Sequence, residues 1–218
     1  MAEPIKTTPA QTTFTGSVGL KAGYNKYFKD GEMLVFGARA EGKVERNGYY
    51  AQGGVTAGTV LGADVALGKE IKVNNKLGLD LSANAEITRS NLEPSYATIE
   101  HTYYDGDNGI INNSTKKKWQ NTIFTGGAKA MAKYTPNNRI TIGAGVSGQY
   151  VTDNAPKKMS LTTTFPDKPE PVTSELKLRQ KDFKISPEVS FSAKTSNKVS
   201  IGLDANRFGG TASIKYTF

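Results

Sequence analysis

The side chains best suited to acid–base chemistry stand close together near the middle of the sequence. The chain has a single histidine, His101, and two aspartates follow it at Asp105 and Asp107. An imidazole oriented by a carboxylate can act as a general base, but the two groups must be fixed by elements that hold them in one geometry. All three residues fall in one predicted loop, with no partner from another strand. We therefore predict that the chain is not an enzyme.

Metal and cofactor chemistry has few candidate residues. The chain has no cysteine, which removes thiolate metal sites, disulfides and cysteine nucleophiles. The run from Asp105 to Asn108 has oxygen ligands that suit Ca²⁺, but no bidentate glutamate follows at EF-hand spacing. The run is more simply explained as a turn. We predict no metal and no cofactor.

Basic and aromatic residues are concentrated in two long connecting segments, 90–118 and 154–178. The net charge of the chain is +8, and aromatic rings beside lysines suit contacts with sugars or polyanions. Equally, the rings could be anchors at a membrane interface, with the lysines among lipid phosphates. The candidate ligand-binding residues are Tyr96, His101, Tyr103, Tyr104, Lys116, Lys117, Lys118, Trp119, Lys157 and Lys158. The lysines are too scattered for a nucleic-acid surface, so we predict no nucleic-acid partner.

The elements that must position these residues are β-strands, because apolar residues recur at every second position. Between Leu34 and Val44, for example, the even positions are apolar or glycine, while Arg39, Glu41 and Lys43 stand at odd positions. The pattern predicts an all-β chain with ten antiparallel strands. These strands are expected at about 14–27, 33–45, 49–58, 61–73, 77–89, 119–134, 139–153, 179–194, 198–206 and 208–218.

The number of strands depends on two predicted bends. The apolar run 49–73 is about 25 residues long, whereas a tilted strand needs about 9 to 11 residues to cross a bilayer, so we expect a break near 58–62. A second bend is expected near 206–209, where the apolar parity changes. With both bends, all short Asn-bearing turns fall at one end and both long segments at the other. Eight strands, with the two bends treated as bulges, is the second choice.

Each predicted strand has one apolar face and one polar face, which fits either a sandwich in water or a closed barrel in a membrane. The apolar faces are rich in Ala, Gly, Val and Leu, with Tyr and Phe near the ends, and this favours a lipid-facing band over a dense core. In a barrel the charges on the opposite face would pair inside the lumen. The predicted lumen charge network consists of Lys21, Arg39, Glu41, Lys43, Asp64, Asp80, Glu86, Lys129, Glu188, Asp204 and Lys215.

The last eleven residues carry the most specific pattern in the chain. Phe208, Gly210, Ala212, Ile214, Tyr216 and Phe218 share one face, and the chain stops on the aromatic residue. This resembles the C-terminal strand of bacterial outer-membrane β-barrels. The resemblance implies an up-and-down transmembrane barrel in the outer membrane, with short periplasmic turns and two long extracellular loops. It also implies recognition by the barrel-assembly machinery through Phe208, Gly210, Ile214, Tyr216 and Phe218.

The resemblance also sets the expected organisation of the chain. Residues 1–13 would form a periplasmic N-terminal extension and residues 14–218 the barrel. Because an outer-membrane protein must be exported, we expect that an export signal has been removed from this chain.

Function is expected to reside in the loops, because ten strands leave little free lumen. We predict a surface-binding or adhesion protein whose partners are outer-membrane lipid and lipopolysaccharide, with anionic glycans or a surface protein as further partners. A narrow channel for small solutes and a structural role within a larger outer-membrane assembly are the alternatives.

Overall fold

The computed structural model describes residues 11–28, 31–91, 95–105, 109–164, 170–207 and 209–218. The described residues form fourteen strands. Their bounds are β1 (Thr13–Phe28), β2 (Gly31–Arg46), β3 (Tyr49–Gly58), β4 (Val60–Lys72), β5 (Leu77–Ser90), β6 (Ser95–Asp105), β7 (Gly109–Trp119), β8 (Thr122–Asn137), β9 (Ile140–Asp153), β10 (Lys158–Thr163), β11 (Val172–Lys177), β12 (Lys181–Lys194), β13 (Val199–Asn206) and β14 (Gly209–Thr217). None of these residues belongs to a helix that could span a bilayer.

Ten of the strands close into an antiparallel barrel in the order β1-β2-β3-β4-β5-β8-β9-β12-β13-β14, with β14 pairing back onto β1. The prediction of an all-β, ten-stranded barrel is confirmed. The predicted break in the long apolar run is also confirmed, since the chain reverses at Thr59, between β3 and β4. The second choice of eight strands is wrong, because β13 and β14 pair as separate strands from Asn206 and Gly209 onward.

The two ends of the barrel differ in how the strands are joined. At one end, here called the turn end, short turns join β2 to β3, β4 to β5, β8 to β9 and β12 to β13, and both the end of β14 and the start of β1 lie there. The tightest is Asn47-Gly48, where both residues have positive φ (52° and 78°), as a type I′ hairpin turn requires. At the other end, here called the hairpin end, three junctions are short and two carry extra strands.

The two long segments predicted as loops are in fact β-hairpins. β6 pairs with β7 between β5 and β8, and β10 pairs with β11 between β9 and β12. The barrel strand predicted to begin at residue 119 begins instead at Thr122, because Trp119 ends β7 and pairs with Ser95. These hairpins escaped the sequence prediction because β7 is polar through residues 112–118 and has no apolar face.

The barrel is inside-out relative to a water-soluble protein. Large apolar side chains on the outward faces are exposed, among them Leu67 (64%), Val65 (59%) and Phe36 (60%). The lumen contains polar and charged side chains through most of its length. The main apolar cluster among the described residues lies inside the barrel near the hairpin end and consists of Met33, Val35, Val60, Ile123 and Val151.

Candidate functional site

The hairpins β6–β7 and β10–β11 pack against each other and form a single lobe on one side of the hairpin end, since β10 contacts both β6 and β7. One face of β10 is buried through Met159 and Thr163, while Lys158, Ser160 and Thr162 are more open to solvent on the opposite face. The residues of the first hairpin that share a half-buried face are Ala97, Ile99, Asn113 and Thr115. We assign these two sheltered faces to the contact between the hairpins.

The cations of the second hairpin converge where it joins the barrel. Lys158 and Lys177 are directly opposite each other in the β10–β11 register, and three more cations flank them in the connecting segments. We call this set the basic neck: Lys157, Lys158, Lys177, Arg179 and Lys181, all of which are exposed. Within it, Lys158 Nζ lies 2.6 Å from Glu175 Oε1.

Backbone hydrogen bonds hold the basic neck in shape. Asp153 Oδ1 accepts from the N–H groups of Ala155 (3.3 Å) and Gln180 (3.1 Å), so one carboxylate ties both connecting segments together. Arg179 donates from Nε to the carbonyl of Ala155 at 2.9 Å. This bond fixes the plane of the guanidinium while the residue as a whole remains at the surface.

The candidate ligand-binding residues of the first hairpin divide between its two ends. Tyr96 and Lys118 are cross-strand partners near the barrel, and Lys116 Nζ lies 4.4 Å from the centre of the Tyr96 ring, a cation–π contact. Lys117, one residue on, points to the other face of the hairpin, and Trp119 is half-buried at the end of β7.

The remaining candidates of this hairpin lie further out along β6. The backbones of His101, Tyr103 and Tyr104 continue the strand, and their side chains are outside the described residues. The lobe therefore gathers the predicted loop residues on one side of the barrel, with the lysines nearest to the wall.

The extended conformation of β6 sets the distance between two of the acid–base residues, His101 and Asp105. His101 and Asp105 belong to one continuous strand, and four residues of strand at a rise of about 3.3 Å each separate their Cα atoms by about 13 Å. That distance is too long for a direct imidazole–carboxylate hydrogen bond. Asp107 and Asn108 lie outside the described residues, and no cluster of metal-ligating side chains occurs in the described part.

Inside the barrel, ion pairs connect strands that are not neighbours. Arg39 on β2 spans β3 to reach Asp64 on β4, with Nη1–Oδ1 at 2.5 Å and Nη2–Oδ2 at 2.9 Å. Glu41 forms two ion pairs: its Oε2 lies 3.1 Å from Arg39 Nε, and its Oε1 lies 2.7 Å from Nζ of Lys215 on β14. On the other wall, Lys129 on β8 lies 2.9 Å from Glu188 on β12.

A second group of lumen charges lies nearer the turn end. Lys133 Nζ is 2.8 Å from Asp80 Oδ2 and 3.9 Å from Glu70 Oε1, and Tyr50 donates its hydroxyl to Asp80 at 2.9 Å. Tyr50 and Glu70 were missed by the sequence analysis, although both stand at the polar parity of their strands. Tyr50 has no formal charge, and Glu70 is close to the end of β4, so neither stood out as a lumen charge.

Of the eleven residues named in the predicted lumen network, eight take part in ion pairs: Arg39, Glu41, Lys43, Asp64, Asp80, Lys129, Glu188 and Lys215. Glu86 accepts a hydrogen bond from Thr88 at 2.9 Å. Lys21 and Asp204 lie at inward positions of β1 and β13, and neither forms an ion pair with another described residue. Asp204 lines a small polar cavity of about 110 Å³ together with Thr211.

The apolar cluster crosses the lumen near the hairpin end. Its members are 1–5% exposed, and they come from β2, β4, β8 and β9. Because β2 and β9 are five positions apart in the ten-strand order, they face each other, and a cluster that joins them crosses the lumen. We call Met33, Val35, Val60, Ile123 and Val151 the mouth cluster.

At this level a side chain of β12 contacts β1 directly, although β13 and β14 lie between these two strands in the barrel order. β13 and β14 are short, so β12 pairs with β13 only from Glu188 onward, and residues 181–187 rise above that pairing. Lys184 Nζ crosses this gap and donates to the backbone carbonyl of Lys26 on β1 at 2.9 Å. Pro187, which has no N–H to donate, lies where the β12–β13 ladder ends.

The C-terminal strand has the outward pattern that the sequence analysis predicted for it. Ile214, Tyr216 and Phe218 are exposed on the outer face, and the N–H of Phe218 donates to the carbonyl of Gly16 at 3.1 Å. Gly210 pairs with Ala205 on β13 and Tyr24 on β1. Phe208 lies outside the described residues.

Comparisons with known proteins give similarity to solved structures. No protein-family model matches the sequence, and no curated protein matches it. Ail, the attachment invasion locus protein of Yersinia pestis, solved with the heparin analogue sucrose octasulfate, is 8% identical over 94% of this chain and 97% of its own, with a TM-score of 0.36. The outer membrane protease OmpT of Escherichia coli is 12% identical over 98% and 99%, with a TM-score of 0.43. The Pseudomonas putida toluene transporter TodX is 7% identical over 94% and 67%, with a TM-score of 0.41.

Proposed function

We propose that this chain is an outer-membrane β-barrel that binds anionic glycans at the cell surface through the basic neck. The turn end would face the periplasm and the hairpin end the outside. The shared chemistry of the ligand is a sugar chain that carries sulfate or phosphate groups. Both a free polysaccharide and the phosphorylated sugars of lipopolysaccharide have that chemistry.

The outward face of the barrel supports a membrane location. Exposed apolar side chains such as Leu34, Val55 and Val189 occur on strand after strand, and soluble monomers rarely expose contiguous apolar patches beyond a few hundred Å². Tyr49 and Tyr134 are exposed at the turn end of this belt. A lipid-facing band bounded by aromatic residues is typical of outer-membrane barrels.

The observation that carries the proposal is the cross-strand pair of Lys158 and Lys177. Like charges directly opposite each other destabilise a sheet. Three more exposed cations lie beside this pair. Glu175 is the carboxylate that forms an ion pair with Lys158. A polyanion that spans the neck would relieve this repulsion. Arg179, whose guanidinium is oriented by the carbonyl of Ala155, is suited to a contact with sulfate or phosphate.

The lumen supports binding over transport. The mouth cluster and the ion pairs around Arg39 and Lys133 occupy the interior, so a solute would have to break several charge-assisted contacts to pass.

The test compares two variants that lose the same charge at opposite ends. One has Lys157, Lys158, Lys177 and Lys181 replaced by Gln, and the other has Lys72, Lys76, Arg139 and Lys198 replaced by Gln. We expect the neck variant to bind heparin about tenfold more weakly than the parent, since four exposed ionic contacts of about 0.2 to 1 kcal/mol each sum to about 1 to 4 kcal/mol. The turn-end variant should lose much less affinity than the neck variant. Equal loss in both variants would contradict a site at the neck.

A second arm distinguishes the source of the glycan. The parent and the neck variant are compared for binding to lipopolysaccharide with and without its phosphate groups. If the neck serves lipopolysaccharide, loss of the phosphates and loss of the neck cations should weaken binding to the same extent. If the neck serves a free polysaccharide, only heparin binding should depend on these cations.

A further inference from the structure

The turn end of the barrel carries a second set of cations that the proposed function does not use. The set comprises Arg46, Lys69, Lys72, Lys76, Arg139, Lys194 and Lys198. They lie at or beside all four turns of this end, so they surround most of its circumference. We call them the turn-end cations.

These cations lack carboxylate partners among the described residues. The acidic side chains in the strand ends and turns here are Glu45 and Glu70, and both contact lumen lysines, Lys43 and Lys133 respectively. None of the turn-end cations forms an ion pair in the described part of the chain. The excess positive charge is therefore available to a ligand outside the barrel.

Two contacts show the depth at which the cations lie. Lys69 faces outward on β4, donates to the Tyr49 hydroxyl at 2.9 Å, and lies 4.4 Å from the centre of the Tyr49 ring. Lys198 likewise lies 5.8 Å from the ring centre of Tyr216. Both tyrosines are exposed on the outer face at this end. Lysines that stack on interfacial aromatics have their charge at the level of lipid headgroups.

We propose that the turn-end cations bind the headgroups of anionic phospholipids in the leaflet that surrounds the turn end. The chemistry that suits them is a phosphodiester with a net negative charge, as in phosphatidylglycerol. Lys72, Lys76 and Lys198 are exposed on flexible stems and can reach separate lipids, while Arg139 can contact one phosphate with two nitrogens. The orientation follows from the proposed function, but the lipid preference does not depend on the glycan.

The absence of cysteine from the chain allows a site-resolved test. Asn138→Cys in the β8–β9 turn is labelled with a fluorophore, and the protein is reconstituted in phosphatidylcholine vesicles. Each sample contains an equal fraction of phosphatidylglycerol or phosphatidylcholine that carries a short-range quencher on its headgroup. We expect the phosphatidylglycerol probe to quench at least about threefold more strongly, because each basic residue near a membrane surface attracts anionic lipid.

The control variants are those used for glycan binding, each carrying the Asn138→Cys label. With Lys72, Lys76, Arg139 and Lys198 replaced by Gln, the preference for the phosphatidylglycerol probe should fall by at least about half, since four of the seven turn-end cations are removed. With Lys157, Lys158, Lys177 and Lys181 replaced by Gln, the preference should persist. Mobility of unboiled samples on a gel verifies that each variant is folded.

Two results would overturn the lipid assignment. One is equal quenching by both probes in the parent protein. The other is a preference that is undiminished in the turn-end variant. If that variant also loses co-sedimentation with peptidoglycan, the cations serve the cell wall instead. Because heparin binding is measured separately on the same variants, failure of this proposal can be distinguished from failure of the glycan site.

Discussion

Arg39 and Asp64 form a two-point ion pair across an intervening strand, with Nη1–Oδ1 at 2.5 Å and Nη2–Oδ2 at 2.9 Å. The two residues are 25 positions apart in sequence, on β2 and β4. Their side chains are 12% and 25% exposed, so water screens the pair only partly. Arg39 also contacts Glu41, which in turn contacts Lys215 on β14. This chain of contacts joins β14, β2 and β4 inside the lumen.

Replacing Arg39 by Met should destabilise the barrel by about 2 to 4 kcal/mol, because Asp64 would remain in the lumen without its partner. Adding Asp64→Leu should recover more than half of that loss, since the unpaired charge is then removed as well. Urea unfolding in detergent micelles measures both values. Lys43→Met is the matched control, because the Lys43–Glu45 pair is 31% and 39% exposed and its loss should cost less than about 1 kcal/mol. Equal costs for Arg39→Met and Lys43→Met would contradict this account.

Gly54 makes room for the Arg39 guanidinium as it passes over β3. A Cβ at residue 54 would overlap Arg39 Nη2, whereas a Cβ at Gly53 would have no atom closer than 3.6 Å. Gly54→Ala should therefore displace the guanidinium and cost about 1 to 3 kcal/mol in urea unfolding. The same substitution should have a much smaller effect in the Arg39→Met background. Gly53→Ala is the control, and a similar cost at both glycines would rule out this explanation.

The β2–β3 turn should be the least tolerant of the short turns. Gly48 has φ of 78°, and a Cβ there would lie 2.5 Å from the carbonyl oxygen of Glu70. Gly48→Ala should cost at least about 1 kcal/mol through backbone strain and this contact. Asn197→Ala, in the β12–β13 turn, should change stability by less than about 0.5 kcal/mol. Thermal unfolding of the two variants in the same detergent makes the comparison, and a tolerant Gly48 would contradict the assigned turn.

The barrel could be predicted from the sequence because its signals are local. Alternation from Leu34 to Val44 needs only neighbouring residues, and so does the break that Thr59 makes between β3 and β4. The partners inside the lumen could not be predicted in the same way. Arg39 faces Asp64 because of the stagger of β2, β3 and β4 and the closure of the whole barrel, which no single strand encodes.

The two hairpins of the lobe depend on contacts between strands that no single strand encodes. β7 contains Lys116, Lys117 and Lys118 in succession, so it has no period-two pattern, and its strand conformation depends on pairing with β6 and on contact with β10. For the same reason the sequence did not indicate that Lys177 would lie beside Lys158. Their proximity follows from the β10–β11 register.

The mouth cluster should control whether ions can pass. Val35 on β2 and Val151 on β9 come from opposite walls, and both are buried. An apolar constriction blocks ions by excluding water, so the parent protein should be silent in planar bilayers. Val35→Asp with Val151→Asp should hydrate the mouth and produce unitary currents. Ser213→Asp, which adds a charge to the lumen away from the mouth, should remain silent. If the parent protein itself gave currents like those of the double variant, the mouth cluster would not block ions.

Salt should weaken glycan binding mainly through the basic neck. The Debye length falls from about 10 Å at 0.1 M to about 3 Å at 1 M ionic strength, and the five neck cations are exposed, so their attraction for a polyanion is readily screened. We expect the affinity for heparin to fall at least about tenfold over this range in the parent. The variant with Lys157, Lys158, Lys177 and Lys181 replaced by Gln should show a much flatter dependence, because most of the screened charge is gone. Affinity that does not change with salt would instead assign binding to uncharged contacts. The surface available for such contacts is the exposed ring of Tyr96 beside Lys116. In that case Tyr96→Ala would be the variant that loses binding.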